Sequence, residues 1–177
     1  MTTIRSLVAT DAVGLADLFA SLSESDRTLI REDLHDTSAV GRLVAHPDLH
    51  WVATSDDGAL VGYCAIDRLP GWSDHVGELR LVVRASGRGA GIGRSLVRTA
   101  LLGALSAGVG KVVVELVAEQ EPVLQMFSEL GFTGEALLRD HIRDRDGRLH
   151  DLVMLAYLAR DAHELLDTVG ITDAIQA

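Results

Sequence analysis

The stretch "GRGAGIGRSL", residues 87–96, sets four glycines and two arginines directly after the apolar-rich "HVGELRLVV" of residues 75–83. Glycine at this density marks backbone that must take unusual angles or come close to something else. The residues before it read as a strand. Those after it carry Ile92, Leu96, Ala100 and Leu101 at helical spacing. The loop therefore opens a helix, where successive N–H groups point outward and the helix dipole adds partial positive charge. That is an anion cradle, and Arg88 and Arg94 add positive potential to it.

Two familiar phosphate loops do not fit. A dinucleotide fingerprint needs glycine at its first, third and sixth positions. Counted from Gly87, Gly89 or Gly91, the sixth position is Ile92, Arg94 or Leu96. A nucleoside-triphosphate loop ends in Gly-Lys-Ser/Thr, and no lysine lies near. A third pattern fits: Arg88, Gly91 and Gly93 satisfy Arg/Gln-x-x-Gly-x-Gly, with Gly89 in addition. On these residues the chain resembles the Gcn5-related N-acetyltransferases (GNAT). A tight strand–helix turn with no ligand is the plainer alternative.

The surroundings extend the resemblance from about Ile4 to Leu158. "FSELGF" (127–132) is similar to the family's "YxxLGF"-like signature, and "LLRDHIRDRDGRLHDLVML" (137–155) resembles its last hairpin, with Asp151 near the final strand. The resemblance implies an α/β fold, a mixed and mostly antiparallel sheet of about seven strands with helices on both faces. It implies acetyl-CoA as cosubstrate, with the diphosphate on Arg88, Gly89, Ala90, Gly91, Ile92, Gly93, Arg94 and Ser95. The pantetheine arm would run along Leu81, Val82 and Val83, with Gln120 and Phe127 as further contacts.

The rest of the chain agrees with one domain over residues 1–160 and a C-terminal helix or tail over 161–177. "TTIRSLVA" reads as a first strand, with Thr10 capping a helix that turns Leu15, Leu18, Phe19 and Leu22 inward. "ESDRTLIREDLHD" (24–36) reads as a second helix, and "TSAVGRLVAH" (37–46) as a third, ended by Pro47. "LHWVATS" and "ALVGYCAIDRL" flank the turn "DDG" as a hairpin. "KVVVELVA" (111–118) is a buried strand, and Pro122 suits the first turn of a short helix that Gly131 ends.

Charge and cysteine usage narrow the partners. Twenty-six acidic against 16 basic residues give a net charge of −10, which repels a phosphate backbone and disfavours nucleic acid. Such a surface suits a cationic amine, and it equally keeps a bacterial-type protein in solution. The run "LVRTALLGALSAGVG" contains Arg98 and falls short of a membrane span. The N-terminus lacks a secretory signature, and the single Cys64 suits a reducing cytoplasm. Cys64 reads as a small core residue. The histidines are scattered, Pro47 separates His46 from His50, and no metal site is expected. Trp51 and Trp72 read as packing residues, with Trp72 also near enough to the cofactor strand to line an acceptor pocket. That pocket is expected from the N-terminal helices and the loop around Pro70 to Asp74, and His141 and His150 on the terminal hairpin read as exposed strand residues or as substrate contacts.

Acetyl transfer to an amine needs a held thioester, a group to take the ammonium proton, and stabilisation of the leaving thiolate. By the resemblance, a free N–H of Val83 polarises the thioester oxygen. Glu78 is the expected base, since the protein-lysine branch that resembles "GELRLVV" carries a glutamate there. Glu115, matching a glutamate of ribosomal-protein acetyltransferases, is the reserve. Glu78 could instead pair with Arg80 or Arg139. Many members carry a tyrosine acid where this chain has Phe127, which has no proton to give. That departure leaves a second reading open: an acyl-CoA-binding sensor or partner module without turnover. A structural role through the terminal hairpin is a third. A homodimer suits the fold.

Overall fold

The computed structural model describes residues 2–23, 26, 37–45 and 48–159. The helix expected over residues 24–36 and the tail over 161–177 lie outside the described residues, Asp26 excepted. Seven strands form one sheet in the order β1-β2-β3-β4-β5-β7-β6. They are β1 (Thr3–Ser6), β2 (His50–Thr54), β3 (Leu60–Arg68), β4 (Val76–Val83), β5 (Lys111–Val117), β6 (Thr133–Arg143) and β7 (Leu149–Leu158). Every neighbouring pair is antiparallel except β4 and β5. Among the described residues four α-helices cover it: α1 (Ala12–Ala20), α2 (Thr37–Ala45), α3 (Ile92–Ser106) and α4 (Glu121–Glu129).

Alternation along the strands divides the core in two. One face carries Cys64, Ile66, Leu79, Val112 and Val114 against Leu96, Val97 and Ala100 of α3 and Phe127 of α4. The other carries Val52, Tyr63, Ala65 and Val82 against Leu15, Leu18 and Phe19 of α1 and Val40 of α2. Cys64 is fully buried in the first cluster, and burial pushes its thiol pKa far up, which removes it as a nucleophile.

Local details depart from the sequence reading where a side chain found a better partner. Thr10 does not cap α1. It sits in a short 3-10 turn, Ala9–Asp11, that precedes the helix. Asp11 instead accepts the Val8 N–H at 2.9 Å and pairs with Arg5 at 2.6 Å. Trp51 packs as expected, 8% exposed, against Gly103 of α3. Trp72 does not: it is 96% exposed in the turn Gly71–Ser73.

A Cβ added at Gly103 would stand 2.3 Å from Trp51 Cζ2. Gly103→Ala is therefore expected to destabilise the fold by about 1–3 kcal/mol through overpacking. Urea unfolding checks this: the midpoint should fall with the slope unchanged.

Candidate functional site

The parallel pair is short. β4 and β5 are in register at Val76↔Lys111, Gly77↔Val112 and Glu78↔Val113, and the pairing ends there. Beyond it β4 stays bonded to β3 as far as Gly62↔Val83, and β5 to β7 as far as Val117↔Leu152. The two strands part, and a wedge opens between them.

The ladder decides which main-chain groups enter the wedge. Arg84 N–H donates to Val61 C=O and Leu69 N–H to Val76 C=O, both at 2.9 Å, so the even-numbered residues of β4 bond to β3. The main-chain groups of Leu81 and Val83 therefore point the other way, into the wedge. Val83 C=O accepts from Arg88 Nε at 3.3 Å.

The glycine loop stands at the mouth of the wedge. Gly89 and Gly91 both have φ of +78°, the left-handed region that other residues rarely enter, and Gly91 is the N-cap of α3. A Cβ on either would meet open space, so conformation, not crowding, requires glycine there. Ser95 is the first residue of α3 to donate back, to Gly91 C=O at 3.0 Å. The N–H groups of Ile92, Gly93 and Arg94 form the first turn of α3 and have no partner within the helix itself. At Gly93 a Cβ would lie 3.4 Å from Leu81 Cδ2 and 3.5 Å from Val83 Cγ2, ordinary contacts, so its smallness keeps the floor of the wedge open. The flanking arginines are paired, Arg88 with Asp26 at 2.9 Å and Arg94 with Glu129.

Loop and wedge open into one cavity of about 1000 Å³. It is lined by the expected Leu81, Val82, Val83, Arg88, Gly89, Gly91, Ile92, Gly93, Arg94, Gln120 and Phe127, and by both Glu78 and Glu115. Ala90 and Ser95 are exposed beside it and do not line it. The two glutamates share a sheet face, because Glu78 is in register with Val113 and Glu115 lies two residues further along β5. Glu78 is 18% exposed, with Arg80 Nε 4.0 Å from its Oε1.

The N-terminal helices line the cavity, as expected of them: Phe19 and Leu22 come from α1 and its end, and Arg42 and Leu43 from α2. Tyr63 and Arg80 of the sheet were not in the sequence reading. The loop 70–74, expected to help build an acceptor pocket, contributes no lining residue. His141 and Ile142 also line the cavity, brought there by a β6 bulge in which the main-chain N–H of Asp140, at φ 51°, donates to Asp151 Oδ1 at 2.8 Å.

Of the two tyrosines, Tyr63 lines the cavity and Tyr157 does not. Tyr63 Oη is 3.3 Å from His50 Nδ1 on β2, and Tyr157 packs on Phe132 outside the lining. Phe127 is fully buried, edge-on to Phe132 at 5.0 Å between centroids.

His150, by contrast, closes the terminal hairpin. It lies 3.1 Å from Asp144 Oδ2 and 3.2 Å from Glu119 Oε1. Its pKa is raised above 6.5, first by Asp144 and then by Glu119, while the His150 contact holds Asp144 below 3.8. The histidine's contribution is complete below 6.5 and is lost as pH rises through its folded value. The aspartate's is complete above 3.8 and is lost as pH falls through its own. The clamp is thus whole between about pH 3.8 and 6.5. Proton NMR of His150 should show a midpoint above 6.5 that falls back in Asp144→Asn. Among the described residues no group of three or more His, Cys, Asp or Glu is placed to hold a metal, and no helix is long and apolar enough to cross a membrane.

A sheet that splits beside a glycine-rich helix start is the architecture of the acetyltransferase (GNAT) fold. The profile of the acetyltransferase (GNAT) family matches residues 15–132, and the chain belongs to that family. The fold is similar to that of yncA from Salmonella typhimurium, solved with its cofactor acetyl-CoA: 20% identity, TM-score 0.79, 89% of this chain and 94% of that one. Ribosomal-protein-alanine N-acetyltransferase from Brucella melitensis is similar at 22% identity and TM-score 0.79, over 88% and 99% of the two chains. A GCN5-related N-acetyltransferase from Kribbella flavida is similar at 19% and 0.78, over 89% and 97%. No curated protein sequence matches the chain significantly.

Proposed function

We propose that the chain transfers the acetyl group of acetyl-CoA to a primary amine by direct attack, with both molecules bound together. The observation that carries this reading is the alignment of glycine loop, wedge and two carboxylates in one cavity. The open cradle at Gly89 and Gly91 fits a diphosphate, and the splayed strands fit an extended arm. When bound, acetyl-CoA supplies an activated thioester carbonyl and a thiolate to leave.

The protein's own part is to hold and to move protons. The N–H groups of Ile92, Gly93 and Arg94 receive the diphosphate, and Arg88 and Arg94 exchange their carboxylate partners for it. Leu81 and Val83 hold the arm by their main chain, and the Val83 N–H polarises the thioester oxygen. Gln120 and Phe127 border the arm. Glu78 takes the ammonium proton, directly or through water, with Glu115 across the wedge as the reserve. No hydroxyl at Phe127 meets the thiolate, and a thiol pKa of about 8.5 lets it leave unassisted at modest cost.

Protein, acetyl-CoA and a panel of primary amines (a lysine peptide, an alanine-terminated peptide and spermidine), followed by release of free thiol, test the reading. Turnover with any of them supports it. Phe127 favours one alternative, a non-catalytic acyl-CoA sensor: tight cofactor binding in calorimetry with no thiol release from any amine would establish that instead.

A further inference from the structure

Two arginines flank the glycine loop, and a carboxylate of the chain itself sits on each: Asp26 on Arg88 and Glu129 on Arg94. The positive charge at the loop is therefore cancelled locally, in a protein whose net charge is −10. The two carboxylates differ in place. Glu129, at the end of α4, is 44% exposed and does not line the cavity. Asp26 is 23% exposed and lines it together with Arg88, Gly89 and Gly91.

Asp26 is also held where it stands. Its Oδ2 accepts from three donors: Arg88 Nη2 at 2.9 Å, the Ser23 hydroxyl at 2.6 Å and the Ser23 main-chain N–H at 3.3 Å. The Ser23 oxygen in turn accepts the Asp26 N–H at 3.1 Å. Burial works against the Asp26 charge, but Arg88 and Ser23 outweigh it and hold its pKa below 3.8, so the group is an anion at neutral pH. Arg88 is fixed from its other side, where Nε donates to Val83 C=O at 3.3 Å. Its guanidinium thus gives a carboxylate oxygen the charge-assisted contact that a phosphate oxygen would take.

A second anion brought to the same guanidinium is repelled by the first. We propose that Asp26 is a resident anion of the cradle, an internal competitor that the diphosphate must displace from Arg88, and that it sets the affinity for a CoA thioester. This rests on the reading of the glycine loop as the diphosphate cradle. Tight binding then draws on the fraction of molecules in which Arg88 has left Asp26, and the apparent Kd is raised in proportion. A ligand without a diphosphate makes no claim on that contact.

Calorimetry with CoA tests this apart from turnover. Asp26→Asn removes the charge at nearly constant shape and is expected to tighten the Kd about 2- to 5-fold, the worth of a half-exposed ion pair. Ser23→Ala, which unfastens Asp26 but leaves its charge, should tighten it less. In an Arg88→Gln background Asp26→Asn should add nothing, because the competition runs through that arginine. The Kd for S-acetylpantetheine should be the same in wild type and Asp26→Asn. A CoA Kd that stays put or weakens in Asp26→Asn, a gain that persists without Arg88, or an equal gain for S-acetylpantetheine overturns the competition and leaves the cradle standing. Should Asp26→Asn fail to fold, Ser23→Ala decides by the same three criteria. Wild-type protein that binds no CoA overturns the cradle itself.

Discussion

Glu78→Gln is expected to lower kcat by about 10²- to 10⁴-fold, the usual worth of a positioned general base, while binding CoA as tightly as the wild type. The change is near-isosteric and replaces the carboxylate by a neutral amide that cannot take a proton. Glu78 lies on the sheet face away from α3, so the cradle at the helix start is untouched. Glu115→Gln provides the comparison, since Glu115 lines the same cavity from the opposite strand. If Glu78 is the base, Glu115→Gln retains most of the rate. If the two effects are reversed, the proton goes to β5 instead. Stopped-flow thiol release under saturating acetyl-CoA separates these outcomes, because it reads the chemical step apart from binding.

The second large effect is expected at the helix start. Gly91→Ala should cost the fold about 1–2 kcal/mol, because φ of +78° is strained for any residue with a Cβ. It should also weaken CoA binding by about 10- to 100-fold, equivalent to losing one charge-assisted hydrogen bond to the diphosphate. S-acetylpantetheine, which has no diphosphate, supplies the control. Calorimetry should show the loss for CoA and little change for the shorter thioester. An equal loss for both would mean that the loop had collapsed into the wedge, and the cradle assignment would fall.

The fold was legible because the glycine loop is a backbone requirement written in residue type. Gly89 and Gly91 occupy angles that few other residues tolerate, so their presence between a strand and a helix announces the turn. Alternation likewise announces each strand, but it does not name the strand's neighbour. The placement of β7 between β5 and β6 rests on long-range pairing that no local window contains. The candidate site was legible only in part. The loop could be picked out by its residue types, and Glu78 and Glu115 by the family resemblance of their strands; all three line one cavity. Tyr63 and Arg80 could not, since they are ordinary polar residues until the register of their strands brings them to the cavity. His141 could be named from the hairpin but not placed, because a two-residue bulge, not the strand period, turns it toward the cavity.

The early end of the β4–β5 pairing has a consequence for how such a chain tolerates change. Groups exposed there belong to peptide bonds, which every residue but proline carries alike, so under the proposed function recognition of a guest in that gap would be nearly blind to side-chain identity. Apolar exchanges at Leu81 or Val83 leave the amides in place, whereas Val83→Pro deletes one outright. A contour fixed by chain path in this way can persist while nearly four residues in five are replaced, the degree of divergence that separates this sequence from its structural neighbours.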